Sequence, residues 1–425
     1  MSTKPSITNA DNANHAGGKQ IEQFNPFLPE LRADPYPFYH RLRCQDPVHW
    51  GVAPSSVVPG CWYLTRYSDV MSALRDPRLG REVRRVLPPE AFPPSHDAFN
   101  PFGAAARRFM LFMDPPDHTR LRSLVSQAFT PQMIQRLRPR IEEITNSLLD
   151  KVHSPGTMDI IADFAFPLPV TVIAEMLGVQ AEDREQFKAW SNTIVGAMDL
   201  RQSREVVEQA GQATLALTGY LQAVVAERRH QRQEDIISDL IAAEEEGSKL
   251  SEEELLSTCI LLLIGGHETT VNLIGNGMLA LLRHPDQMEQ LRSNPGLIQE
   301  AVEELLRYDS PVPMAFRLAF EDLELGGKPI RKGDSVGMVL AAANRDPEPF
   351  PDPDRLVITR TPNRQLAFGH GIHFCLGAAL ARLEGQIAIN TLLRRMPYIQ
   401  LQTDDLEWRE NVGLRGLKAL PVSLS

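Results

Sequence analysis

The stretch Phe368-Gly369-His370-Gly371-Ile372-His373-Phe374-Cys375-Leu376-Gly377 brings a thiol, two imidazoles and three glycines into ten consecutive residues. Its glycines permit tight or left-handed turns that a side chain would forbid. The run that follows, Ala378-Ala379-Leu380-Ala381-Arg382-Leu383-Glu384, is rich in strong helix formers. Cys375 therefore sits just ahead of a helix N-terminus, where the helix dipole favours a negative thiolate. Such a thiolate is either a nucleophile or a metal ligand. His373 lies two residues before it, and Phe368 and Phe374 flank the turn and could shield the sulfur from water. A buried cysteine after a tight turn, with no chemistry, fits the same residues.

Three other groups carry potential chemistry. Ser251-Glu252-Glu253-Glu254 has the capping-box pattern, which predicts a long helix from there to Arg283, stopped by His284-Pro285. At 1.5 Å per residue it would run about 50 Å, enough to cross a domain. Its middle holds Gly265-Gly266, each glycine costing about 1 kcal/mol relative to alanine, followed by Glu268 and Thr269 in apolar surroundings. Something lying against the glycines would explain them, and Thr269 could bond back to an i−4 carbonyl. A packing pair of glycines beside an exposed glutamate is the alternative. On a helix predicted over His118–Phe129, His118 and Arg122 stand one turn apart and could grip an anion together, or form a surface pair. Glu304 and Arg307, at i and i+3, form an ordinary ion pair when taken alone.

These groups need a scaffold, and the pattern of the chain supplies a mainly α one with a small β portion. Helices are expected at Ser68–Arg75, Arg138–Val152, Pro167–Leu177, Asp183–Met198, Arg204–Arg229 and Pro295–Tyr308, and strands at Cys61–Thr65, Met314–Phe320, Leu323–Leu325 and Ser335–Leu340. Residues 76–104 are rich in proline and glycine with little periodicity, and are expected to form a long loop suited to a substrate lid. Residues 344–362 form a Pro- and Asp-rich meander leading into the Cys375 loop. Residues 1–22 are polar, lack an apolar core and are expected to be a disordered tail, leaving 23–425 as one domain.

Composition narrows the function classes. With 43% hydrophobic and 23% charged residues the chain is of ordinary globular type, and a net charge of −10 argues against a general nucleic-acid binder. Within it, residues 104–140 hold seven arginines (107, 108, 120, 122, 136, 138, 140) against Asp114 and Asp117, a basic island suited to an acidic partner or anionic ligand. Four cysteines without CxxC spacing indicate neither a zinc site nor a disulfide framework and suit a reducing cytoplasm. The most apolar stretch, Leu255–Leu282, is interrupted by polar residues and is expected to be a buried helix, not a membrane span.

In this order, the motifs resemble those of the cytochrome P-450 family, the haem-thiolate monooxygenases. The loop fits Phe-x-x-Gly-x-basic-x-Cys-x-Gly at every defined position, with His373 as the basic residue. Gly265-Gly266-His267-Glu268-Thr269-Thr270 is similar to the family's oxygen-activation motif, with glycine for the more usual alanine at the first position. Glu304-Leu305-Leu306-Arg307 is similar to its Glu-x-x-Arg, and Arg355 stands at the meander position that completes its buried charge network. The motifs cover residues 118–377, and the element order fits from residue 24 to the C-terminus.

The resemblance implies a single large domain holding haem b (iron protoporphyrin IX) between the long central helix and the cysteine loop. It makes Cys375 the axial thiolate, assigns His118, Arg122, Arg317 and His373 to the haem carboxylates, and gives Glu268 and Thr269 proton delivery to bound dioxygen. Glu304, Arg307 and Arg355 become structural. It also implies insertion of one oxygen atom into a mid-sized apolar substrate, with the style of the motifs most like members that act on macrolides and polyketides. Val86, Leu87, Leu263, Gly266, Val312, Met314 and Val412 are the expected pocket residues. Because the chain has no flavin or nicotinamide fingerprint and no iron–sulfur cysteine cluster, electrons would come from a ferredoxin- or flavodoxin-type partner with its reductase. That partner would dock on the basic island at Arg107, Arg108 and Arg136. A peroxide-driven enzyme, an oxidative coupling enzyme or a non-catalytic haem sensor remain open alternatives.

Overall fold

A computed structural model describes residues 23–54, 58–87, 100–152, 156–197, 203–245 and 250–424. The elements that position the site are α1 (Tyr67–Arg75), α2 (Asp117–Ala128), α3 (Pro167–Met176), α4 (Glu252–Arg283), α5 (Ile298–Tyr308) and α6 (Ala378–Arg395). Four more helices, Arg138–Asp150, Arg184–Gly196, Arg204–His230 and Ile236–Glu245, surround them. The principal sheet has five strands, β1 (Val48–Gly51), β2 (Cys61–Leu64), β3 (Leu79–Gly80), β4 (Ala315–Ala319) and β5 (Ser335–Met338), in the order β1-β2-β5-β4-β3. β2 and β5 run parallel and the other neighbours antiparallel. This is the mainly α, single-domain architecture expected, with most element ends within a few residues of the predicted ones. The expected tail 1–22 and residues 88–99 of the expected lid lie outside the described residues.

α4 starts where its capping box demands. Ser251 Oγ accepts the Glu254 amide at 3.1 Å while the Glu254 carboxylate accepts the Ser251 amide at 2.8 Å, satisfying two otherwise orphaned donors. Its 32 residues are buried nearly all round, packed against α3, α5, α6 and the segment 160–165. A helix apolar on every face belongs in a core. It is the one helix among the described residues long and apolar enough to cross a membrane, and its apolar window is 78% buried inside the protein.

The long loop expected over 76–104 is in part ordered structure. It contains β3, which pairs with β4, a 3₁₀ turn at Val83–Arg85 and a short helix at Pro101–Ala106. Two residues of strand gave no periodicity to read in the sequence. A side chain at Gly80 would put its Cβ 2.0 Å from Phe320 and 2.7 Å from Asp114 Oδ2, so only glycine allows the segment to approach this closely.

The expected buried charge network forms, with one member changed. Glu304 and Arg307 are both fully buried, joined by bonds of 2.7 and 2.8 Å. Arg307 also donates to the carbonyls of Asn344, Pro353 and Arg355. Arg355 contributes only that carbonyl, for its side chain is 76% exposed. The second guanidinium on Glu304 belongs to Arg360, 9% exposed, at 3.1 and 3.2 Å. The meander has no regular period, so spacing could not show which arginine turns inward. Glu384, on α6, is buried with Oε2 unpartnered, and burial pushes its carboxyl up to about 8.

Two predictions follow from these buried charges. Arg360→Ala leaves part of the Glu304 charge uncompensated and should cost about 3–5 kcal/mol in denaturant unfolding, whereas Arg355→Ala should stay within about 0.5 kcal/mol. For Glu384, the folded chain keeps a proton that the unfolded chain releases between its ordinary pKa of 4.5 and about 8, so stability falls as pH rises through that window. Glu384→Gln should therefore melt higher than the parent near the top of that window, the difference closing as pH is lowered toward its foot.

Candidate active site

The Cys375 loop is held in place by its glycines. Gly369 and Gly371 take φ of 69° and 73°, left-handed conformations that favour glycine. A Cβ on Gly371 would lie 2.5 Å from the Leu74 carbonyl, so the loop rests directly on the end of α1, where Arg75 reaches His370 at 3.0 Å. The Cys375 amide donates to Phe368 O at 3.0 Å and closes the turn just before α6. Phe368 is half-buried with Arg382 over its ring, but Phe374 is exposed, so of the two aromatics expected to shield the sulfur only Phe368 is drawn in. Burial pushes the Cys375 thiol up, while the Gly377 amide, Arg122 and Arg382 pull the other way. Burial thus opposes the thiolate that the helix start favours. A bound metal cation would deprotonate the thiol.

Beside the loop the fold gathers cations. His118 is buried on α2 with its ring centroid 4.3 Å from that of His373, and Arg122 donates to Phe374 O at 2.7 Å. Arg317 comes from β4 and is buried too. All four residues expected at the haem carboxylates are therefore brought together. Arg81, from a stretch expected to be an irregular loop, lies beside them. Burial, then Arg317, His118, Arg81 and Arg122, push the His373 ring down to about 2, and its Nε2 is buried without a partner. Burial lowers His118 as well, takes Arg317 to about 10 and, with help from Arg317, takes Arg81 to about 9. Neutral imidazoles and desolvated guanidiniums make a site short of negative charge. A group carrying two carboxylates, as haem does, fits it.

On α4 the side chains divide between two faces. Thr269 donates to the Gly265 carbonyl at 2.8 Å, the back-bond expected, and a Cβ on Gly265 would meet nothing within 4 Å. Gly266 turns instead toward Ile173 of α3, so the open face is formed by Gly265 and Thr269. Glu268 is buried, its Oε1 accepting from Arg409 at 3.0 Å, and Arg409 is anchored by a bond of 3.2 Å to Leu417 O. A cavity of about 390 Å³ reaches this pair, lined by Phe166, Asn192, His267, Glu268, Arg409 and Asn411. No sequence signal pointed to Arg409, 141 residues away. Of the expected pocket residues, Leu263 and Met314 are buried and Val86, Leu87, Val312 and Val412 half-buried.

The basic island is largely neutralised. Arg108, Arg120, Arg138 and Arg140 pair with Glu253, Glu254, Glu142 and Glu175, and Arg122 turns to the cysteine loop. Counting charges over residues 104–140 alone missed glutamates that arrive from α3, α4 and the next turns of the Arg138–Asp150 helix.

A glycine-held cysteine ahead of a helix, with buried imidazoles and guanidiniums gathered beside it, suits a haem-thiolate protein. The family model described as Cytochrome P450 matches residues 83–411. The biotin biosynthesis cytochrome P450 of Bacillus subtilis (strain 168) is 46% identical over 396 residues, 93% of this chain and 97% of that protein. The polyketide biosynthesis cytochrome P450 PksS of the same strain is 45% identical over 406 residues, 95% and 98% of the two chains. Among solved structures, P450BioI in complex with hexadec-9Z-enoic acid ligated acyl carrier protein superposes with a TM-score of 0.86 at 44% identity, covering 93% of this chain and 99% of that one. The chain belongs to the cytochrome P450 family. It is accordingly an oxygen-incorporating oxidoreductase whose cofactor is haem b.

Proposed function

We propose that this monooxygenase inserts one oxygen atom into a mid-sized apolar secondary metabolite of polyketide or macrolide type. Relatives such as the polyketide biosynthesis cytochrome P450 PksS support this class of substrate, and the apolar residues Leu263, Val312, Met314 and Val412 are the ones assigned to its pocket. Cys375 holds the haem iron as a thiolate, with His118, Arg122, Arg317 and His373 on the propionates. The haem supplies oxygen activation when bound. The observation that carries these assignments is the convergence of His118, Arg122 and Arg317 around His373, whose buried Nε2 has no partner.

The protein's own part is to position and to move protons. Glu268 lines the cavity and takes protons from that side. Arg409 holds its carboxylate in place. Thr269, whose hydroxyl proton is directed to Gly265 O, presents its oxygen lone pairs on the open face and orders the water that completes the relay. Electrons come from a separate ferredoxin- or flavodoxin-type protein, and the enzyme works in the cytoplasm.

The reduced, carbon monoxide-treated protein should show the long-wavelength Soret band of a thiolate-ligated haem, and Cys375→Ser should abolish it. A serine variant with an unchanged band would remove Cys375 from the iron. Thr269→Ala should keep consuming oxygen while product per oxygen falls by about 10-fold or more. Tight coupling in that variant would exclude the relay. Polyketides and macrolides should shift the haem spin state in a substrate screen; a screen in which only unrelated compounds do so would overturn the substrate class.

A further inference from the structure

Arg81 is held in place on every side. Its amide and that of Glu82 both donate to Asp114 Oδ2 at 2.8 Å, and the Asp114 amide donates back to the Glu82 carboxylate at 3.1 Å. Its side chain donates from Nε to Leu111 O at 2.9 Å and from Nη1 to Phe316 O at 3.0 Å. Arg317 Nη1 donates to that same Phe316 carbonyl at 2.8 Å. Two guanidiniums on one carbonyl oxygen are neighbours, and burial makes their repulsion costly unless an anion sits with them. Yet Asp114 Oδ2 and Glu82 Oε1 serve backbone amides. Among the described residues neither guanidinium forms an ion pair with a carboxylate.

A planar guanidinium with two nitrogens fixed on carbonyls is oriented in advance, leaving Nη2 directed by that scaffold. Building so exact a mount for a lone charge has a reason if that nitrogen meets a ligand. His118 and Arg122 come to the site from α2, whereas Arg81 comes from the residue that follows β3 and Arg317 from its neighbour in the sheet, β4. We infer that Arg81 is a fifth haem-binding residue, gripping together with Arg317 one haem propionate from the sheet side. This rests on the haem assignment above. The consequence is that β3 and the turn after it belong to the cofactor site and are not part of a mobile lid.

The test is the rate at which the holoprotein gives up haem to excess apomyoglobin, compared between the parent and Arg81→Gln, each loaded either with haem or with haem dimethyl ester. Loss of a charge-assisted bond should speed haem release by about 10-fold or more, and the ester, which has no carboxylates, should leave the same rate in both proteins. Equal acceleration with both porphyrins would make Arg81 merely structural, and an unchanged rate with haem would remove it from the site. If Arg81→Gln yields no holoprotein, Arg81→Lys, which keeps a donor but loses the fork, should show the same dependence on the carboxylates. A parent protein lacking the thiolate Soret band would instead strike the haem assignment itself, whereas a normal band with unchanged haem release strikes only Arg81.

Discussion

Glu304 is cut off from water and yet surrounded by donors: two nitrogens of Arg307, Nε of Arg360, the Val357 amide and the Asn363 side chain. A buried carboxylate is tolerable only when its charge and its lone pairs are satisfied together, so this residue fixes everything that bonds to it. Arg307 carries the constraint on to the Asn344 carbonyl, and the Asn344 side chain accepts the Leu366 amide at 2.7 Å, two residues before the Cys375 loop begins. An irregular meander with no ladder of its own thereby becomes a rigid support for the cysteine.

The same logic runs in reverse on the other side of the loop. There two guanidiniums have no carboxylate in an ion pair with them among the described residues, and burial works against the charge of each. A network that is complete in itself holds the fold, while one that is incomplete marks where a ligand belongs. Both meet the same short stretch of chain, the first through Leu366 and the second through His373.

α4 presents different chemistry on neighbouring positions. Its glycine and threonine form the open face, and a neighbouring position sends Glu268 toward a cavity where Arg409, from the C-terminal segment, meets it. The acid and the alcohol are consecutive in sequence, so one helix can present them to different surroundings without any motion of its backbone.

Much of this was legible in the residues alone. Helix starts and stops are local chemistry, so the capping box at Ser251 and the stop at His284-Pro285 located α4 closely. The cysteine loop, Glu268, Thr269 and the Glu304–Arg307 pair are written in short spacings, which is where local sequence is most legible. What the sequence could not decide was which side chain turns inward where the backbone has no period. Arg360 rather than Arg355 reaches Glu304, Arg81 leaves an apparent loop to stand beside Arg317, and glutamates from other helices quench the arginine island. Those outcomes depend on desolvation and on partners distant in sequence, and only the tertiary structure sets either one.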